Sequence, residues 1–331
     1  MIRIAAVAAA VLMAAALFTL ALPIEGWRTG DQGLAPLDSV PEAATPPLPR
    51  RVWIDTDAAC GHSPRTDPDD CFALALLLRS NNVEVVGIST VAGNAPHEMV
   101  VRTTRALVKE VGSPVPVHND ASALRAALDQ GPLTVLALGP LTNLAEVFRQ
   151  NPELTKNVVR IVAVMGRRPG HIFHPAEGSG GGMLFGHGPV FRDFNFALDP
   201  DAAAQVLAMK LPMSFIPYDA ARGIELTAAD LDRMVTSLRW IVQRSRDWLD
   251  YWRSDIGRAG FYPFDLLAAA YVVEPSWLLC TPVRAWVGED DRLFRLWARK
   301  ALLVQPDANG AALYCGRARR EVKQRVMGFF D

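Results

Sequence analysis

The chain has 331 residues, 50% hydrophobic and 21% charged, with a formal net charge of −1. That supplies apolar material for a sizeable core and no polyanion-binding charge, which excludes a disordered chain and argues against nucleic acid as a partner. Four cysteines, Cys60, Cys71, Cys280 and Cys315, are too few for a disulfide scaffold and lack zinc-type spacing.

Residues 4–24 carry no charged side chain, and about 20 apolar residues suffice to cross a bilayer as a helix. Two readings of residues 1–26 stay open, a membrane anchor and a cleaved signal peptide. Either implies export. The remainder is then anchored with its domain outside the cytoplasm, or secreted or periplasmic. Residues 27–50 are rich in Pro and Gly without apolar periodicity, the composition of a flexible linker. One α/β domain is expected over residues 51–331.

Within it, short runs of Val, Ile and Leu alternate with helical patterns. Strands are predicted at 51–55, 83–89, 133–138, 158–165 and 213–216. Helices are predicted at 71–78, 99–111, 141–149 and 202–209, then a Trp-rich helical stretch over 226–252 and an apolar helix at 266–273. This alternation predicts an open, mostly parallel, Rossmann-like sheet flanked by helices. Asn309-Gly310 between apolar runs suggests a late hairpin. Ligands of such sheets sit beyond the carboxyl ends of the strands. The residues to examine there are Asp55 and Asp57, Gly93-Asn94, Gly139-Pro140, Gly166 and Asp219.

Five Asp residues, Asp55, Asp57, Asp67, Asp69 and Asp70, crowd the first strand-to-helix connection. A helix cap needs one of them. So many like charges between buried elements call for a counter-charge, and carboxylate oxygens suit a hard divalent cation such as Ca²⁺ or Mg²⁺. Neither Cys60 nor His62 is needed for this.

Several motifs in order then resemble the inosine–uridine-preferring nucleoside hydrolases. That family's Asp-x-Asp-Pro-Gly-x-Asp-Asp motif is found here split, as Asp55-Thr56-Asp57, an insertion over 58–68, and Asp69-Asp70. Further matches are Gly87 to Asn94, Ala137 to Leu144 (ALGPLTNL), Val162 to Gly166, Asp193-Phe194-Asn195 with Leu198-Asp199-Pro200, and Asp265 to Ala268. The resemblance implies hydrolysis of ribonucleosides to ribose and base. It implies a Ca²⁺ site formed by Asp57, Asp70, Asp265 and the Leu138 carbonyl. Asp57 would be the base that deprotonates a Ca²⁺-bound water, with Asp265 beside it. Asp69, Asp193 and Asn195 would hold the ribose hydroxyls, Asn94 would sit near the metal, and Met165 would contact the substrate.

Three positions depart from the family pattern. The insertion lengthens the metal loop. Phe264 stands where many members have a base-protonating His, and could activate the base by stacking or be an ordinary apolar residue. His187 replaces an Asn at the ribose end, where it binds substrate or lies in solvent. The Gly178–Gly182 run reads as a loop at the site mouth, and the 251–262 stretch as a possible lid. The Trp240, Trp248 and Trp252 set reads as core. Arg317 to Arg325 reads as a solvated helix face. A bridge between Cys60 and Cys71 could fix the inserted loop of an exported domain. The pattern leaves room for a homo-oligomer.

Two other readings compete. One is a nucleoside or sugar binder of the same fold without turnover. The other is a haloacid-dehalogenase-type phosphatase with Asp55 as nucleophile, Asp57 as acid and the Gly288 to Asp291 acids near Mg²⁺.

Overall fold

The computed structural model describes residues 34–43, 47–171, 173, 192–290 and 299–331. The expectations for residues 4–24, the Gly178–Gly182 run, His187 and Asp291 lie outside these. Among the described residues no helix is long and apolar enough to cross a membrane.

In chain order the strands and helices are β1 (Arg51–Thr56), α1 (Asp69–Arg79), β2 (Glu84–Thr90), α2 (His97–Glu110), β3 (Val117–His118), α3 (Leu124–Asp129), β4 (Leu133–Ala137) and α4 (Thr142–Gln150). There follow β5 (Val158–Ala163), α5 (Phe194–Leu198), α6 (Pro200–Ala208), β6 (Met213–Phe215), α7 (Tyr218–Ala221), β7 (Leu226–Thr227), α8 (Ala228–Met234) and α9 (Arg239–Tyr251). The last are β8 (Gly260–Phe261), α10 (Phe264–Val273), β9 (Leu278–Asp290), β10 (Arg299–Pro306), β11 (Ala312–Ala318) and α11 (Val322–Met327).

The main sheet has the order β10-β9-β11-β6-β5-β4-β1-β2-β3. It is parallel from β11 to β3, and β9 runs antiparallel to both its neighbours. The expected α/β class holds. β4 is buried at every position and β1 at all but its first, as their uninterrupted apolar runs require of strands covered on both faces. α1 is buried from Asp69 to Leu77 and packs against the equally buried α10. α2 instead buries one stripe, Val100, Thr104, Leu107 and Val108, at helical spacing. The chain leaves β1 toward β2 and β3, then returns to the other side of β1 with β4. That reversal opens a crevice at the carboxyl ends of β1 and β4.

Three expectations need correction. Asn309-Gly310 forms a turn, with the Gly310 N–H donating to the Asp307 carbonyl at 2.8 Å, but β10 and β11 are not partners, because β9 lies between them. The 226–252 stretch is not one helical region. It divides into β7, α8 and α9, and β7 pairs with β8. Leu34–Ala43, inside the stretch read as a linker, lies along β9 and β11. Leu34 is buried, Thr281 Oγ1 donates to the Leu37 carbonyl at 2.9 Å, and the Ala43 N–H donates to the Cys280 carbonyl at 3.0 Å. Backbone bonds and the apolar side chain of Leu34 fasten a segment that composition alone reads as free.

All four cysteines are paired, Cys60 with Cys71 across the insertion and Cys280 with Cys315 between β9 and β11. Beyond β5 and β6 a buried polar knot joins the strand ends. Arg168 pairs with Asp219 at 2.5 Å, Tyr314 donates to the same carboxylate at 2.5 Å, and His171 Nδ1 lies 3.5 Å from it. Burial alone would raise the Asp219 pKa, but His171, Arg168 and Tyr314 together hold it well below the carboxylate range. Its contribution to stability is therefore complete above the unfolded pKa of about 3.9 and is lost as pH falls below it. Asp219→Asn removes the carboxylate facing the buried Arg168 and is expected to cost about 3–5 kcal/mol at neutral pH. Chemical denaturation across pH checks this, and the gap between native and variant protein should narrow below about pH 4.

Candidate active site

The acids gather where β1 and β4 end. Asp57 follows β1 and is fully buried. Its carboxylate accepts from the Asn94 N–H at 2.9 Å and from Asn94 Nδ2 at 3.4 Å. Gly93 and Gly139 press on it from two sides. A Cβ on Gly93 would overlap the carboxylate, and one on Gly139 would lie 3.2 Å from the carboxyl carbon. Asp69 and Asp70 form the first turn of α1 and Asp265 that of α10, at the positive ends of both helices. Asp70 accepts from Thr56 Oγ1 at 2.5 Å and from Asn94 Nδ2 at 3.0 Å. Asp69 accepts from the backbone N–H of Asp265 at 2.9 Å and of Asp70 at 3.0 Å.

One carboxylate oxygen each from Asp69, Asp70 and Asp265 lies within 4.8 Å of the others. Asp57 is linked to this trio by Asn94, which bonds both Asp57 and Asp70. Of the expected ligand set, then, Asp70 and Asp265 stand together, with Asp69 as the third member and Asp57 alongside. The Leu138 carbonyl accepts from Asn195 Nδ2 at 2.5 Å.

Burial, then the facing carboxylates Asp70 and Asp69, push the Asp57 pKa well up, and burial with Asp69, Asp70 and Asp57 does the same to Asp265. Burial and Asp69 raise Asp70 to about 7. Asp265 Oδ1 is buried without a hydrogen-bond partner. An all-oxygen donor set of this charge, with an orphaned buried oxygen, fits a hard divalent cation.

A cavity of about 380 Å³ opens over the trio. Asp69 and Asp265 border it, as do Asn94, Met165, Asp193, Asn195 and Phe264. The structure thus brings those sequence-derived candidates to one space. Asp193 accepts from the Gly166 N–H at 2.8 Å, and burial raises its pKa to about 6 against the pull of that N–H and of Arg167. Asn195 Nδ2 spans the carbonyls of Leu138 and Val164. The Phe264 ring centroid lies 6.2 Å from that of Tyr218, another lining residue.

Sequence reasoning missed part of this site. Trp248 and Trp252, read as core, line the cavity with Tyr251, although Trp252 is also fully buried. Arg65, Thr66 and Asp67 reach it from the insertion, and the Asp67 carboxylate caps the Asp69 N–H at 3.1 Å. Asn143 donates to Asp55 at 2.8 Å and to the Thr90 carbonyl at 3.0 Å, tying β1 to the end of β2. Only the LTN run hinted at that role.

The phosphatase reading fails on the same geometry. Asp55 is no nucleophile, because its carboxylate is buried beneath the sheet end and accepts from Ser89 at 2.5 Å and from Asn143. Asp290 is spent on Arg167 at 2.6 Å and on the Gly170 N–H at 2.8 Å, away from the cavity.

The family model described as inosine-uridine preferring nucleoside hydrolase matches residues 52–127 and 118–295. A pyrimidine-specific ribonucleoside hydrolase, RihA, of Salmonella typhimurium is 25% identical over 283 residues, 72% of this chain and 83% of the relative. Among solved structures, a purine-preferring ribonucleoside hydrolase from Gardnerella vaginalis superposes with a TM-score of 0.66 at 19% identity, covering 84% of this chain and 98% of that one. An inosine-uridine preferring nucleoside hydrolase from Bacillus anthracis gives 0.63 at 16% identity, covering 85% and 99%. These structural likenesses establish the shared fold. With the family match spanning most of the described domain, the chain belongs to the inosine–uridine-preferring nucleoside hydrolase family and is an N-glycosyl hydrolase.

Proposed function

We propose that the chain hydrolyses the N-glycosidic bond of ribonucleosides to ribose and base, with Ca²⁺ as its cofactor. The observation that carries this reading is the convergence of Asp57, Asp69, Asp70 and Asp265 under one cavity that also holds Asp193, Asn195 and an aromatic wall. Asp57, Asp70 and Asp265, with the Leu138 carbonyl, would hold the ion. When bound, Ca²⁺ supplies the charge that keeps these carboxylates ionised and acidifies a water beside them.

Asp57, oriented by Asn94 and by the walls of Gly93 and Gly139, would be the base that takes the proton of the attacking water. Asp69, Asp193 and Asn195 hold the ribose hydroxyls, and such contacts can strengthen as the sugar becomes oxocarbenium-like. Met165 adds apolar contact beside them. Phe264 offers its face to the base.

The two disulfides support export of the domain, since such bridges persist in oxidising compartments. On this reading residues 1–26 direct the chain to the membrane as anchor or signal, and the hydrolase domain begins at residue 51.

Ribose release from purine and pyrimidine nucleosides, with and without chelator, tests the assignment. Activity is expected to vanish on chelation and return with Ca²⁺. Asp57→Asn is expected to lower kcat by about 10³-fold while substrate still binds. Turnover indifferent to both changes would contradict the mechanism, and tight nucleoside binding without turnover would make the chain a binding member of the fold. Phe264→Ala is expected to lower kcat/KM about 2- to 10-fold, the scale of one lost aromatic contact.

A further inference from the structure

Cleavage of the N-glycosidic bond leaves an electron pair on the departing base. Phe264, at the turn into α10, has no proton to give it. The aromatic side of the cavity nevertheless holds a cation. Arg65 lines the cavity, and its guanidinium carbon lies 5.0 Å from the centroid of the Tyr251 ring, next to Trp248 and Trp252. The other described lining arginine, Arg192, adjoins Asp193 on the sugar side.

Arg65 is presented by a built loop. The Cys60–Cys71 bridge closes the insertion at its base. Gly61, at φ +62°, packs so tightly on the Arg244 carbonyl of α9 that a Cβ there would overlap it. Ser63 and Thr66 close a turn, with hydroxyls 2.8 Å apart and the Thr66 N–H on the Ser63 carbonyl at 3.0 Å. Arg65 Nη2 pairs with Asp255 at 2.9 Å. A guanidinium carries five N–H donors, so this single bond leaves others for a second acceptor.

We propose that Arg65 is a catalytic residue that holds the departing base and stabilises its negative charge. This rests on the nucleoside hydrolase reading above. The C1′–N bond breaks with its electron pair on the base, and the water oxygen bonds to C1′ as its proton passes to Asp57. The base, held against Arg65, then takes a proton from solvent, and Asp57 returns one. The charge on the base develops in the transition state, where a prearranged cation lowers the barrier most.

The test compares kcat/KM on uridine and inosine with that on 4-nitrophenyl β-D-ribofuranoside, whose leaving group departs as an anion unaided. Arg65→Gln is expected to lose about 5- to 10-fold on the nucleosides and under about 2-fold on the nitrophenyl riboside, the scale of a solvent-exposed cation. Arg65 is largely exposed, at 72%, so the variant should fold, and an unchanged Tm confirms it. Asp255→Asn, which removes the ion pair and keeps the cation, is expected to stay within about 2-fold on both. Equal losses on the two substrate types, or no loss on nucleosides, would overturn the proposal. Wild-type protein inactive on every riboside would overturn the hydrolase reading itself, and this one with it.

Discussion

Four carboxylates taken out of water at the meeting of two helix ends cannot all ionise without a counter-charge. That constraint organises the crevice. Asp69, Asp70 and Asp265 sit on the first turns of α1 and α10, whose N–H groups supply part of the charge. Asn94 binds two of the acids, Asp57 and Asp70, and Thr56 donates to the other oxygen of Asp70. What the protein supplies falls short, since the carboxyls remain pushed up and one oxygen of Asp265 finds no donor. A divalent cation, as proposed for this site, would complete the balance.

The fold delivers these groups through its topology. Asp57 follows β1 and Leu138 follows β4, the two strands between which the chain reverses direction. Asn143 clamps Asp55 to the end of β2, so three strand ends meet as one surface around Asp57. Farther along the sheet, the Arg168–Asp219–Tyr314 knot fixes β11 to the turns after β5 and β6. Tyr218, next in the chain to Asp219, thereby reaches the cavity wall. The insertion that lengthens the metal loop is closed by Cys60 and Cys71, and Cys71 directly follows Asp70. The bridge therefore anchors the added loop beside the acid cluster.

The sequence showed the parallel half of the sheet plainly, because strands buried on both faces read as unbroken apolar runs. It hid β9, whose polar positions and Pro282 break any simple period across a 13-residue strand. It also hid the division of 226–252, where helical spacing continues across a short strand and two helices. The acid cluster between β1 and α1 was legible because acids next to apolar runs have few structural reasons to be there, whereas the roles of Asn94, Met165, Asp193, Asn195, Phe264 and Asp265 came from the family resemblance. Asp69, assigned to the sugar, also stands in the acid trio, a neighbourhood hidden in the sequence because adjacent positions on one helical turn do not reveal which oxygen faces which neighbour. The aromatic wall escaped for a similar reason, as Trp252 serves the core and the cavity at once. Asn143 and Arg65 act through contacts 88 and 190 residues away in the chain, which no local pattern records.

An acid cluster that holds a cation must bind one in the absence of substrate. Calorimetric titration of chelator-stripped protein with Ca²⁺ tests it most directly. One ion per chain is expected, with heat of binding abolished in Asp265→Asn although that variant remains folded. Absence of saturable binding to the native chain, or binding undiminished in Asp265→Asn, would contradict it.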